Sequence, residues 1–524
     1  MLRKIRLTLA TLFFALITLL FFDFTGTIHV WLSWLAKIQF LPALLALNVG
    51  IVVALLLLTF VFGRVYCSVI CPLGVFQDVV SWISGQRKKK NMRFSYSPAL
   101  VWLRYGVLVL FVVMLVAGIH SVVALLAPYS AYGRIANNLF APIYLWGNNL
   151  LAYFAERADS YAFYTVDVWV KSLSTFAVAV LTFVVVAVLA WRNGRTYCNT
   201  ICPVGTVLGF VARFSLFRPV IDTEKCKNCN LCARKCKASC INIKEHTIDY
   251  SRCVACMDCL DNCKHGALHY QYAYGKKEAG PSASRRGFFS AVGVVAATAA
   301  LNAQEKRKKQ QPNLPQYQKN QTKRADTRAE LPTDKSKVEQ KVDGGLADIE
   351  PKLAPERLTP LTPPGSLGIG NFAQHCTACQ LCVSACPNGV LRPSTKLENF
   401  MQPEMSYERG YCRPECVKCS EVCPTGAIKL ITRADKSAIQ IGHAVTIHKN
   451  CIPLTDGVEC GNCERHCPTK AIKMIPIDKN DPKSLKKPIV NEEKCIGCGA
   501  CENLCPARPY SAIYVEGHER HREI

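Results

Sequence analysis

Cys226, Cys229, Cys232 and Cys236 are followed by Cys253, Cys256, Cys259 and Cys263 in the same spacing, CxxCxxCxxxC. Three thiolates within seven residues let one loop wrap three irons of a cubane, while the fourth cysteine reaches the partner cluster. Zinc sites instead split their thiols into two CxxC knuckles a dozen or more residues apart, and a disulfide framework does not suit a reducing compartment. The spacing therefore predicts two [4Fe-4S] clusters. One is held by Cys226, Cys229, Cys232 and Cys263, the other by Cys253, Cys256, Cys259 and Cys236. Lys237 and Lys264 stand where a proline commonly follows the fourth cysteine, a change that loosens the loops, makes them more electropositive and tends to raise cluster potentials. Cys240 falls outside the pattern, as a buried free thiol or a redox group.

Four more sets lie downstream: Cys376, Cys379, Cys382, Cys386; Cys412, Cys416, Cys419, Cys423; Cys451, Cys460, Cys463, Cys467; and Cys495, Cys498, Cys501, Cys505. Each ends CxxxC and each is followed by proline, Pro387, Pro424, Pro468 and Pro506. These predict four further [4Fe-4S] clusters, six in all. No CxxCH occurs, so c-type haem is excluded. A third kind of site is duplicated: GRVYCSVICPLG (63–74) and GRTYCNTICPVG (194–205) agree at eight of twelve positions. Proline-ended turns explain the proline and glycine but not the paired cysteines. Cys67, Cys71, Cys198 and Cys202 are expected together at the cytoplasmic membrane face, where four thiols could ligate an additional centre or cycle as dithiols.

The elements that must carry these groups follow from composition. The chain has 524 residues, half of them hydrophobic, a formal charge of +25 and 29 cysteines. It is too apolar for a disordered or nucleic-acid-binding tail and too long for a disulfide mini-protein, and an odd number of cysteines cannot all pair. Residues 7–22, about 39–62, 100–126 and about 173–191 are apolar runs of membrane-crossing length. No small-residue cleavage site follows the first, so it is kept as a span. Residues 64–104 carry seven Lys/Arg and one acid, whereas 127–173, the connection on the other side, carry three of each. The positive-inside rule places the N-terminus and the 64–99 loop in the cytoplasm and makes the QRKKKNMR run topological, with no nucleic-acid partner.

SRRGFF (284–289) and the small-residue apolar stretch after it have the form of a twin-arginine export signal, which must face the cytoplasm. Residues 304–350 are too polar to bury a core. The expected architecture is multi-domain: an α-helical membrane domain of four spans, or five if the export segment is retained as an anchor, plus two α+β bacterial-ferredoxin-like iron-sulfur domains. Its boundaries are 1–218 for the membrane domain, 219–275 for the cytoplasmic two-cluster module, 284–303 for the signal or anchor, 304–365 for a flexible linker and 366–524 for an exported four-cluster domain in the periplasm.

Spans ending in duplicated CxxxCP motifs and followed by a two-cluster ferredoxin resemble the membrane component (NapH-type) of the haem-independent quinol dehydrogenase of periplasmic nitrate reductase. The segment from the twin arginine onward resembles its polyferredoxin partner (NapG-type), with Pro363–Gly365 before the first set and the CxxxxxxxxCxxCxxxCP spacing at Cys451–Pro468. The resemblance implies a fusion of the two in the bacterial inner membrane. It implies electrons passing from the quinol pool through [4Fe-4S] clusters to an exported terminal reductase or cytochrome, such as nitrate reductase. It also implies nested cluster pairing, first exported set with fourth and second with third. The second set departs from the family's spacing, with three residues between Cys412 and Cys416. Relatives of the CxxxCP module also serve nitrous oxide reductase maintenance and cytochrome oxidase assembly, so a redox maturation or metal-reductase role is the alternative.

No molybdopterin, haem or flavin motif is present, so a partner must reduce the final substrate. His29 and His120, the only histidines of the membrane domain, are the candidate quinol contacts, expected near its outer edge. One difficulty stands out. Two clusters on one side of a core about 30 Å thick must communicate with four on the other.

Overall fold

The computed structural model describes residues 1–23, 26–87, 94–160, 162–274, 352–478, 480–481 and 484–524. The expected export signal (284–303) and most of the expected linker lie outside them. Residues 1–273 and 353–524 form one compact unit. The C-terminal part is packed from its first residues, with Leu361 in the core and Arg357 paired to Glu502, so its folded portion begins before residue 366.

Among the described residues two helices are long and apolar enough to cross a membrane, α1 (Leu2–Phe22) and α12 (Leu173–Asn193). After α1 come two short helices, α2 (Ile28–Leu32) and α3 (Trp34–Lys37). The other two apolar runs, expected as single spans, are interrupted. Residues 39–62 divide into α4 (Phe40–Leu45) and α5 (Val49–Phe62) where Leu47 turns left-handed and the Asn48 side chain caps α5. Residues 100–126 divide into α8 (Val101–Val116) and α9 (His120–Leu126) at Gly118, φ 78°. Hydropathy adds apolar residues together, whereas helix continuity fails at a capping side chain or a left-handed residue. The connection after residue 126 is helical too: α10 (Pro128–Ile135), a π-helical turn at Ala136–Phe140 and α11 (Ala141–Arg157).

The internal repeat is a repeat of structure. α5 is followed by α6 (Val65–Val69) and α7 (Pro72–Arg87), and α12 by α13 (Thr196–Thr200) and α14 (Pro203–Ala212). Gly63 and Gly194 close α5 and α12 in the left-handed region, φ 73° and 69°, donating to Thr59 O and Ala190 O. A β-carbon disfavours that conformation, so glycine lets the chain reverse there. α7 then runs parallel to α12, with Phe76 5.6 Å from Phe183 and Ser84 Oγ 3.0 Å from Trp191 O.

Both ferredoxin parts are α+β, built from short helices and two-stranded antiparallel ladders. β1 (Phe217–Ile221) pairs with β4 (Leu268–Tyr272), bringing together the two ends of the two-cluster module, and β2 (Ile241–Asn242) pairs with β3 (Thr247–Ile248). In the C-terminal domain β5 (Leu391–Pro393) pairs with β6 (Pro403–Met405), β7 (Ile439–Thr446) with β10 (Ile513–Glu523), and β8 (Ile472–Pro476) with β9 (Lys486–Val490).

α1 joins these parts across a length of about 30 Å. At its start Arg3 pairs with Asp258 (2.9 Å) and Asp261 (3.3 Å) of the two-cluster module. Near its end Phe21 packs beside Gly133 of α10, on which the carbonyl of Cys379 also rests. Ile17, Leu20, Phe21, Tyr129 and Tyr132 share one core with Phe372, Leu381 and Val383 of the C-terminal domain.

Candidate iron-sulfur centres

The four CxxCxxC loops have one backbone shape. The residues immediately before and after the second cysteine are left-handed in each: Asn228 and Asn230, Ala255 and Met257, Ala378 and Gln380, Gly497 and Gly499. Alternating right- and left-handed residues turn successive N–H groups toward one point, a nest suited to an anion. The fourth cysteines are also supplied with donors. Cys263 Sγ accepts from Ala267 N (3.3 Å), Cys423 from Ile428 N (3.4 Å), Cys467 from Ala471 N (3.2 Å) and Cys505 from Ala512 N (3.3 Å). Hydrogen bonds to the sulfurs stabilise a reduced cluster. The second and third C-terminal sets, whose spacing differs, do not repeat the paired left-handed pattern.

Two cavities are bounded by cysteines drawn from two sets each. One is bounded by Cys236, Cys253, Cys256 and Cys259, with Cys240 in its wall. The other is bounded by Cys412, Cys416 and Cys419 with Cys386. Each thus joins three cysteines of one set to the fourth of another, as cubane ligation requires. Cys263 lies within electrostatic reach of Cys232.

In the C-terminal domain pairing is adjacent and not nested. Cys423 lies beside Cys376, Cys379 and Cys382. Cys505 lies beside Cys451 and Cys463, and Cys467 beside Cys495, Cys498 and Cys501. The bond from Cys412 N to Cys498 O (2.9 Å) then abuts the two pairs.

Among the described residues no three His, Cys, Asp or Glu side chains crowd closely enough to share one metal ion. A cubane needs a wider spread, one thiolate on each of four irons. Burial pushes the free thiols of Cys379, Cys463 and Cys498 up to about 12, so iron must displace their protons. Cys240 stands 3.5 Å from Cys236, sulfur to sulfur, as a fifth thiol against one cluster's ligands.

The duplicated CxxxCP cysteines come together in the helical region, next to the two-cluster module, to whose Ser251 and Ala238 carbonyls Arg64 and Asn199 donate. Each is 4–5% exposed, and Cys71 and Cys202 lie within electrostatic reach of Cys67 and Cys198. Cys202 caps α14, its Sγ accepting from Gly205 N (3.3 Å), with Pro203 in the first turn. A β-carbon on Gly74 would overlap the Cys67 carbonyl, and one on Gly205 the Cys198 carbonyl.

Reading the cysteines missed the arginines that open each repeat, although the shared Gly-Arg pair was a signal. Arg64 Nη2 donates to Cys198 O (3.1 Å) and approaches Cys67 Sγ (3.7 Å); Arg195 Nη1 donates to Cys67 O (2.8 Å) and approaches Cys198 Sγ (3.9 Å). Gln77 Nε2 also reaches Cys198 Sγ at 3.2 Å.

Both membrane-domain histidines are buried at the C-terminal domain. His29 Nδ1 is 2.7 Å from Asp23 Oδ2, its Nε2 has no hydrogen-bond partner among the described residues, and Lys418 lies within electrostatic reach. His120 lies within electrostatic reach of His375. The structure therefore does not bring the two histidines into one site.

Residues 44–91 and 175–221 match the model of a 4Fe-4S binding domain, and residues 375–443 and 458–508 match that of a 4Fe-4S dicluster domain. The chain is 26% identical over 219 residues to an uncharacterized protein of Methanocaldococcus jannaschii, covering 41% of this chain and 67% of that protein. It is 27% identical over 232 residues to the ferredoxin-type protein NapH of Haemophilus influenzae, covering 43% and 67%. It is 25% identical over 220 residues to the methylamine utilization ferredoxin-type protein MauN of Methylobacillus flagellatus, covering 41% and 64%. No solved structure matches the chain. The chain is an iron-sulfur electron-transfer protein related to these ferredoxin-type proteins.

Proposed function

We propose that the chain is a membrane-bound conduit that oxidises quinol and passes electrons one at a time, through six [4Fe-4S] clusters, to an exported reductase. The observation that carries this reading is the placement of the two ferredoxin parts at opposite ends of α1, the first helix long enough to cross a bilayer. Quinol oxidation yields two electrons and two protons, and clusters accept the electrons singly. His29 suits the proton-accepting role. Burial holds its pKa below the ordinary range despite Asp23, and that carboxylate orients the ring through Nδ1. Lys418, within electrostatic reach of His29, adjoins Cys419 in sequence. The two-cluster module is read as cytoplasmic, and the four-cluster domain as periplasmic after twin-arginine export. A nitrate reductase is the acceptor suggested by the resemblance to NapH.

The test is anaerobic purification of the full chain in detergent, addition of a reduced quinol and measurement of cluster absorbance. Bleaching of the clusters, weakened in His29→Gln, supports the conduit. Clusters that stay oxidised with quinol, in a protein that after dithionite treatment reduces cupric ion, would favour the metal-reductase reading and reject this one.

A further inference from the structure

We infer that Cys67, Cys71, Cys198 and Cys202, clamped by Arg64 and Arg195, hold one additional iron-sulfur cluster inside the helical region, shared between the two halves of the internal repeat. The inference rests on the electron-transfer reading and supplies the step that reading lacks, a centre between the two ferredoxin parts.

Three independent features point to an anionic occupant. The first is an excess of buried positive charge. Arg64 and Arg195 are fully buried. Arg195 has Asp78, but Asp78 is shared with Arg6 and Lys237. Arg64 has Asn199 Oδ1, the carbonyls of Ser251 and Cys198, and Cys67 Sγ, with no carboxylate among the described residues; its Nε has no hydrogen-bond partner. A buried cation without a carboxylate partner is costly, and an iron-bound thiolate at Cys67, 3.7 Å from Arg64 Nη2, is the nearest anion that fits.

The second feature is reciprocity. Each arginine bonds the first cysteine carbonyl of the opposite repeat while approaching its own first cysteine sulfur, so the two half-sites are interlocked. Third, the half-sites are incomplete alone. The two stretches matching the 4Fe-4S binding domain contain four cysteines between them, two in each, and these are the CxxxCP cysteines. Two thiols cannot complete a cubane, whereas four from two halves can.

The position suits relay. Arg64 is within electrostatic reach of Cys253, a ligand in the two-cluster module. On the other side Tyr197, which adjoins Cys198, is within reach of Arg134, and Arg134 within reach of Cys379 of the C-terminal domain. The step is a single electron transfer. The cluster is reduced by one electron from a neighbouring cluster and reoxidised by passing it to the next; no bond forms or breaks and no proton moves.

The test counts iron and acid-labile sulfide per chain in the anaerobically purified full-length protein, with electron paramagnetic resonance after stepwise reduction. The expected result is a seventh cluster, lost with its iron and sulfide in Cys71→Ser/Cys202→Ser while the other six remain. Arg64→Lys keeps every thiol and one positive charge; it is expected to retain the iron and alter only this cluster's signal, which keeps the test decisive if the serine variant does not fold. Wild-type iron and sulfide for six clusters only, or alkylation of these four thiols by iodoacetamide in the iron-loaded native protein, would overturn the inference in favour of free dithiols. Because iron counting needs no quinol, a seven-cluster protein that quinol leaves oxidised would reject the proposed donor and leave this site standing.

Discussion

The two-cluster module is joined to the helical region by ion pairs, whereas the four-cluster domain is joined to it by side-chain amides and cation–ring contacts. At the first joint Asp78 of α7 receives Arg6, Arg195 and Lys237, and Asp258 receives Arg3 and Lys237. At the second, Asn137 and Asn138 both donate to Gln380 Oε1 at 3.0 and 2.9 Å, and Trp169 lies under Arg392 and Arg409 at 4.7 and 4.5 Å. The contrast teaches where each joint draws its specificity. The ionic joint replaces a ferredoxin proline with Lys237 and so makes the cluster loop itself a tether. The amide joint uses Gln380, one of the left-handed residues that shape the first C-terminal cluster loop, so docking and cluster geometry share a residue.

The strongest way to break the comparison is Asp78→Asn, which leaves three cations around a neutral amide. A loss of about 3–5 kcal/mol is expected for a buried pair broken on one side, read as a lower unfolding temperature and early loss of iron from the two-cluster module. Acid acts on the same joint. Burial opposes ionisation of Asp78, but Arg195, Lys237 and Arg6 hold its pKa well below the usual carboxylate range. Its contribution is therefore complete above the ordinary carboxylate pKa and is lost as pH falls through its depressed folded value. Proteolysis during acid titration should release the two-cluster module before it affects the Gln380 joint; release of the four-cluster domain first would reverse the assignment.

Gln380→Leu should cost about 1–3 kcal/mol by leaving two buried amide donors unpaired and should weaken docking without the acid response, measured by differential scanning calorimetry at two pH values. Arg392→Ala should have the smallest effect, about 0.5–1 kcal/mol for one cation–π contact. If it matched Asp78→Asn in the same calorimetry, the contrast between joints would fail.

The cysteine sets were legible because the ligands of a cubane are local in sequence, and the same is true of the turn glycines in the two repeats. Pairing among the four C-terminal sets was not, since the fourth ligand of each cluster comes from another loop and its choice depends on how loops pack. α10 escaped for a related reason. Its Tyr129, Ser130, Tyr132 and Arg134 give it the composition of a connection, yet all its residues are buried, because the polar groups face the interior and the docked domain. The interrupted spans were hidden by their apolar content, with Asn48 and Gly118 the only local marks of the breaks.

α1 also bears on biosynthesis. Its opening turn pairs with Asp258 and Asp261 and its closing turn packs where Cys379 lies, residues synthesised much later than α1 itself. Among the described residues, the contacts that unite residues 1–273 with 353–524 are noncovalent. Two polypeptides divided within 274–352 would thus carry both faces of these described contacts, and peptide-bond continuity adds delivery of the two halves in equal number.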